Sequence, residues 1–281
     1  MHKTSVGTNT SRNAIRRADV LNELRLKLEK SAHDFLFGSP LFFPVRDGYQ
    51  TIFARRKLAL RRQMRAFFAP YIRRGDLVFD IGAHFGSYAE RFTELGAKVI
   101  AVEPNLACCE TLRRLAHSRD IRVENCAAGD APGKLKLLIC VEYPSLSTVA
   151  DEWYEAAQQS SRHGTTHWQA PMEVDVITLD QLAARYGIPA FVKIDVEGFD
   201  DHVIRGMSFQ PRFLTFEFNR EVPQVALRCL EASLLKSGYE FNYTCNMAKL
   251  ASDHWMAPDE LRSRMFNDEN YYGDVIARRK E

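Results

Sequence analysis

From Gly75 onward, short apolar runs alternate with amphipathic stretches, and this rhythm constrains the fold more than any other feature of the chain. Leu77–Ile81, Lys98–Val102 and Ile121–Asn125 read as strands, separated by helices at Ser87–Leu95 and Leu106–Ala116. Strands joined through helices pair in parallel, because a crossover must carry the chain back to the same sheet edge. The pattern resumes with helix Leu179–Tyr186, strand Phe191–Asp195, helix Phe199–Arg205 and strand Phe213–Phe218. Helix Gln224–Ser237 and strands near Tyr239–Thr244 and Asp274–Arg278 then predict an antiparallel edge closing a parallel sheet. Lys134–Val141 reads as an additional strand. Residues 142–172, polar and bearing Trp153 and Trp168, read as an irregular insertion or lid.

The segments before this core differ in character. Residues 1–18 are expected to form a disordered basic tail, and 19–74 an N-terminal helical extension ahead of a catalytic domain at 75–281. Leucines recur at helical spacing over 19–31, and 51–72 reads as a helix with Ile52, Phe53, Leu58, Leu60, Met64, Phe67 and Phe68 available for burial. Between Gly48 and Gly75 there is no acid, while Arg55, Arg56, Lys57, Arg61, Arg62, Arg65, Arg73 and Arg74 are basic. Such a stripe is a solvated face or a contact for an anionic substrate or membrane surface. The whole chain has 38 basic and 36 acidic residues, so its net charge of +2 argues against bulk polyanion binding and makes nucleic acid an unlikely partner. Its six cysteines form no C-x-x-C pair, which suits reduced thiols and a cytoplasmic location. No apolar run reaches the roughly 18 residues a membrane span needs.

Four strand ends carry the chemistry. The first is Asp80-Ile81-Gly82-Ala83-His84-Phe85-Gly86, where a strand ends on an acid and enters a loop with glycines four apart. The spacing differs from the dinucleotide-binding G-x-G-x-x-G, and Asp80 suits a ligand bearing an ammonium better than a diphosphate. The second is Glu103-Pro104-Asn105, whose acid follows Asp80 at an offset suited to ribose hydroxyls. Asn125 to Asp130 forms the third, with Ala127 and Ala128 small enough to leave room for a flat base. The fourth is Lys193-Ile194-Asp195-Val196-Glu197-Gly198. Lys193 and Asp195 share a face there, and two charges on an apolar strand call for pairing.

In order, D-I-G-A-x-x-G, V-E-P, A-x-G-D and K-I-D-V-E-G resemble the FkbM family of S-adenosylmethionine (SAM)-dependent methyltransferases, over about residues 76–219. The resemblance implies a class I methyltransferase: an α/β, Rossmann-like, mostly parallel seven-stranded sheet with helices on both faces. It implies SAM as cofactor and methyl transfer to oxygen on a sugar, glycolipid or related small-molecule acceptor. By the same resemblance Asp80, Gly82 and Gly86 would hold the methionine part, Glu103 the ribose and Ala127 the adenine side. Ala83, His84, Phe85, Pro104 and Asn105 complete the expected cofactor-binding set. Asp195 and Glu197 are the expected catalytic pair, orienting the acceptor and taking its proton.

Other constellations are weaker. His84 and His202 are alternative bases, and Glu217 and Asn219 either line an acceptor pocket or cap their strand. Ser145–Thr148 is a possible lid contact. His163-x-x-x-His167 lies in a context unsuited to zinc, so no metal is expected. Rival functions are an RNA methyltransferase using the basic 55–74 helix, and a SAM-binding scaffold without activity. A nucleotide-dependent oxidoreductase is disfavoured by the glycine spacing.

Overall fold

The computed structural model describes residue 55 and residues 58–141, 143–160, 166–245, 247–267 and 273–280. The expectations for 1–18 and 19–31, and for Ile52, Phe53 and His163, lie outside those residues. Packing divides the chain into two units, Met1–Leu60 and Arg61–Glu281. In the first, Leu58 and Leu60 are exposed rather than buried. Sheet and site belong to the second.

That unit opens with helical residues 61–68 (α1). A seven-stranded sheet follows, built from β1 (Leu77–Ile81), β2 (Lys98–Val102), β3 (Ile121–Glu124), β7 (Phe191–Ile194), β8 (Phe213–Phe218), β9 (Tyr239–Thr244) and β10 (Gly273–Arg279). Its order is β3-β2-β1-β7-β8-β10-β9. All neighbours are parallel except β10, which runs antiparallel to both β8 and β9. This is the Rossmann-like, mostly parallel seven-stranded arrangement that the resemblance implied. The chain winds outward from β1 to β3 and then restarts at β7 on the other side of β1. Ligands in open α/β sheets bind at such a switch point, beyond the carboxyl ends of the strands.

Side chains alternate across the sheet, and each face buries its own core. Phe79, Ile81, Val192 and Ile194 pack on one side with α5 (Leu179–Tyr186), α6 (Asp200–Arg205), α7 (Pro223–Glu231) and α9 (Pro258–Asn267). Val78, Val99, Ala101 and Phe191 pack on the other with α2 (Ser87–Glu94) and α3 (Leu106–Ala116). Phe67 and Phe68 of α1 join the second face, where Phe68 meets Phe92 and Phe191 edge-on. Thus, of the apolar residues expected to be buried, Phe67 and Phe68 are core and Met64 packs against it, while Arg62 and Arg65 are exposed.

A second sheet has the order β4-β6-β5, from β4 (Ala127–Ala128), β5 (Gly133–Leu137) and β6 (Met172–Ile177). The strand expected over 134–141 is therefore shorter, continuing only as isolated bridges at Leu138 and Cys140. The described residues of the expected insertion, 143–160 and 166–172, hold more regular structure than their polarity suggested. They contain a 3₁₀ turn (Pro144–Leu146) and α4 (Asp151–Gln159), and they lead into β6. Only Trp153 and Ala157 of α4 are buried, a one-residue-wide strip too narrow to stand out from polar neighbours. The helix expected over 224–237 breaks at Ala232 into α7 and α8 (Ser233–Gly238). Helix α9 was not anticipated, although Pro258, Asp259 and Glu260 are ordinary helix-start residues.

Candidate active site

The carboxyl ends of β1 and β7 meet through their backbones. Gly82 N and Ala83 N both donate to Val102 O, at 3.0 and 3.1 Å, so the glycine loop is tied to the end of β2. Gly82 has φ +76°, and a Cβ there would stand 1.8 Å from the carbonyl oxygen of Asp195. Gly86 has φ +83°, and a Cβ there would press on Leu112 and Leu115. Both positions need glycine because of protein packing, a stricter demand than ligand approach alone.

Asp80 and Lys193 are register partners on β1 and β7. Both are essentially solvent-free, with Lys193 Nζ 3.7 Å from Asp80 Oδ1 and 3.1 Å from Asp195 Oδ2. The Tyr88 ring covers the ammonium, 4.4 Å from its centroid. Burial raises the Asp80 pKa, and Lys193 offsets that only in part. Burial also opposes the charge on Lys193, but Asp195 and Asp80 outweigh it and hold the ammonium above its usual range. The i, i+2 pairing read from the sequence is present, and the neighbouring strand adds a second carboxylate to it.

Glu103 organises the adjoining corner. Oε2 accepts from His84 N and Oε1 from Asn105 N, each at 2.8 Å. Asn125 Nδ2 donates to the carbonyls of Glu103 and Pro104, both at 3.0 Å, fixing the loop from β3. Asn105 also caps α3 by accepting from Ala107 N. Desolvation lifts the Glu103 pKa to about 6, opposed by its two backbone hydrogen bonds.

Beyond β7, a chain of acids crosses the sheet edge. Asp195, Glu197 and Glu217 each offer a carboxylate oxygen within 4.8 Å of the others, close enough to share protons or hold a cation. Glu217 N donates to Asp200 Oδ1 at 3.3 Å, and Asp274 is the register partner of Glu217 on β10. Burial raises Glu197 and Glu217, reinforced by Asp195 and, for Glu217, first of all by Glu197. It raises Asp200 to about 7 and Asp274 to about 8, with Asp195 adding repulsion in both. Carboxylates this close cannot all ionise together near neutral pH.

A small cavity of about 50 Å³ lies between Glu103 on one side and Asp195 and Glu197 on the other. Of the expected residues, Gly82, His84, Glu103, Pro104, Ala127, Asp195 and Glu197 line it. Asp80 faces Lys193 instead, Ala83 is buried, Phe85 is exposed beside the His84 ring, and Gly86 and Asn105 serve the helix starts. Pro144, Ser145, Ser147 and Thr148 form another wall. Thr148 Oγ1 donates to Glu197 O at 2.7 Å and accepts from Ala150 N, clasping that segment to the β7 loop. His202 is elsewhere: its ring stacks on Phe199 and it lines a separate cavity of about 440 Å³ with Asp130 and Arg228. Sequence reasoning missed Tyr88, Asp200 and Asp274. Tyr88 carries no local signal, because only the pairing of β1 with β7 brings Lys193 beneath it.

The residues fit a nucleoside bearing an amino acid. Each Glu103 oxygen keeps acceptor capacity beyond its one backbone donor, as two ribose hydroxyls require. His84 Nε2 on the cavity wall is buried without a hydrogen-bond partner, and burial lowers the pKa of its ring. Ala127 and Ala128 leave their wall of the cavity free of bulk, as a flat base would require.

Comparison with known proteins finds similar structures and a matching family. Among solved structures, the chain is similar to precorrin-6y C5,15-methyltransferase from Geobacter metallireducens GS-15, with 11% identity over 78% of this chain and 87% of that one (TM-score 0.39). It is also similar to Aeropyrum pernix fibrillarin bound to S-adenosyl-L-methionine, with 10% identity over 74% and 68% of the two chains (TM-score 0.39). No curated protein matches it at a significant level. The family described as the methyltransferase FkbM domain matches residues 80–267, from Asp80 at the site to the last residue of α9. That span is more than half of the chain, which therefore belongs to the FkbM family of SAM-dependent methyltransferases.

Proposed function

We propose that this methyltransferase acts on a hydroxyl of a sugar, glycolipid or related small-molecule acceptor, with Glu197 as proton acceptor and Asp195 as the orienting carboxylate. SAM supplies the activated methyl group. The protein's work is then to hold the acceptor oxygen in line and remove its proton, contributions worth several kcal/mol and about 10²–10⁴-fold respectively.

The cluster of Asp195, Glu197 and Glu217 beside the cavity carries this reading. Lys193 Nζ lies 3.1 Å from Asp195 Oδ2 and holds this carboxylate in place, where it can accept a hydrogen bond from a hydroxyl. Glu197 has a raised proton affinity, set first by burial and then by Asp195. A base of that kind is stronger than an ordinary carboxylate and better matched to a hydroxyl proton. Carboxylates at this density also suit hydroxyl-rich ligands, which donate to them. Gly82, Glu103, Pro104 and Ala127 would hold the cofactor, with Glu103 accepting from its ribose.

The test is methyl transfer from labelled SAM to a panel of sugars and glycolipids, with amines and RNA as comparators. Labelling of hydroxyl acceptors, lost in Glu197→Gln while S-adenosylhomocysteine still binds, is the expected result. Labelling of RNA or amines alone would overturn it.

A further inference from the structure

The opposite edge of the sheet carries a second charged site. Arg212 precedes Phe213 at the start of β8, Glu240 lies at the start of β9, and Arg278 and Arg279 end the antiparallel β10, with Lys280 just after it. All of them therefore meet at the amino-terminal edge of the parallel strands. Arg73, from the turn before β1, completes a cleft of about 550 Å³. Strands of five or six residues separate it from the methyl-transfer site by roughly 17–20 Å.

Its charge is one-sided. Five cations line the cleft against one acid, Glu240. Glu240 is engaged by Arg278, whose Nε lies 2.6 Å from it and whose guanidinium stacks on Trp255 at 4.3 Å. Asp76 is engaged by Arg212. Among the described residues, Arg73, Arg279 and Lys280 form no ion pair, so three positive charges remain unbalanced. Arg279 Nη1 is held by the Gln210 carbonyl at 2.9 Å, which anchors one nitrogen and leaves the rest of the fork available. Arg212 Nε is buried with no hydrogen-bond partner.

From these observations we infer that the cleft binds a phosphorylated small molecule through its phosphate groups. Guanidinium forks match phosphate oxygens two at a time, and four of the five cations are arginines. The concavity favours a compact di- or triphosphate over a flat lipid surface, which touches only convex or planar ground. Arg212 and Arg278, fixed by Asp76, Glu240 and Trp255, are already positioned and lose little freedom on binding. This site is separate from the methyl-transfer cavity and shares no residue with it.

Inorganic pyrophosphate is the probe, titrated calorimetrically into the full-length protein at low salt. Saturable binding is expected, weakened about tenfold or more in the double variant Arg279→Gln, Lys280→Gln, because each lost charge-assisted bond costs that order. S-adenosylhomocysteine should bind wild type and variant alike, showing that the fold and the other edge are intact. No saturable binding to wild type, or equal binding by the variant, would overturn the proposal. So would sedimentation with anionic phosphatidylglycerol vesicles that pyrophosphate does not reverse, since the cleft would then be reading a membrane.

Discussion

Gly82 and Asp195 are in backbone contact: the carbonyl oxygen of Asp195 occupies the space a Cβ on Gly82 would need, 1.8 Å away. The glycine loop proposed to hold the cofactor and the loop that carries Asp195 and Glu197 are thus a single packed unit. Gly82→Ala should cost about 2–4 kcal/mol, from the positive φ and from displaced backbone. Urea denaturation measures this directly. An alanine variant with an unchanged midpoint would show that the loops are not so tightly joined.

Lys193 is the counter-charge of a carboxylate that sees no water. Replacing it with methionine leaves Asp80 buried and uncompensated, a change that typically costs about 3–5 kcal/mol. Adding Asp80→Asn to Lys193→Met should return part of that loss. If the double variant were no more stable than the single one, the pairing would not be what Lys193 supplies.

Two carboxylates are assigned different tasks. Glu197→Gln should lower the rate of methyl transfer about 10²–10⁴-fold, with S-adenosylhomocysteine affinity nearly unchanged. Asp195→Asn should raise the acceptor KM as well, because it removes the group that orients the hydroxyl. Near-normal turnover in Glu197→Gln would end its candidacy as the base.

Glu103 gives a pH dependence of known sign. Its folded-state pKa is raised by burial to about 6 from an ordinary 4.5. Its stabilising contribution is therefore complete below about pH 4.5 and is lost as pH rises through 6. Cofactor binding runs the other way, since ribose hydroxyls donate to the ionised form. S-adenosylhomocysteine should bind about tenfold more weakly for each pH unit below 6. Asp200 and Asp274 titrate at about 7 and about 8. The acid limb therefore belongs to Glu103 only if Glu103→Gln flattens it, and calorimetry at several pH values decides.

The cavity at the switch point holds about 50 Å³, whereas sites for nucleoside-sized ligands span roughly 300–1,000 Å³. The segment from Pro144 to Thr148 closes it, clasped by Thr148 to Glu197. We expect cofactor binding to lift that segment, with Thr148→Val loosening it beforehand. Hydrogen exchange over 143–150 should differ between free and S-adenosylhomocysteine-bound protein. Identical exchange in the two states would mean the ligand enters by another route.

Much of this was legible in the residues. Short apolar runs and the helices between them dictated the parallel core, because backbone hydrogen bonding and burial leave few other arrangements. The acids at the ends of β1, β2 and β7 were readable because sheet topology sends every parallel strand end to one edge. The pairing of Lys193 with Asp195 followed from their sharing a face. Helix α4 escaped notice because its buried strip is Trp153 and Ala157 alone, and β6 because Glu173-Val174-Asp175-Val176 alternates within a region that is otherwise polar.

By itself, then, the sequence determined the fold class, the sheet edge proposed for the chemistry and the acids that follow β1, β2 and β7 there. Tertiary structure decided which groups those acids face. Asp80 and Lys193 lie 113 positions apart and become partners only through the register of β1 on β7. Glu217 and Asp274 meet only through the antiparallel return of β10. Burial then sets their proton affinities, and burial depends on every element packed above a residue rather than on its neighbours along the chain.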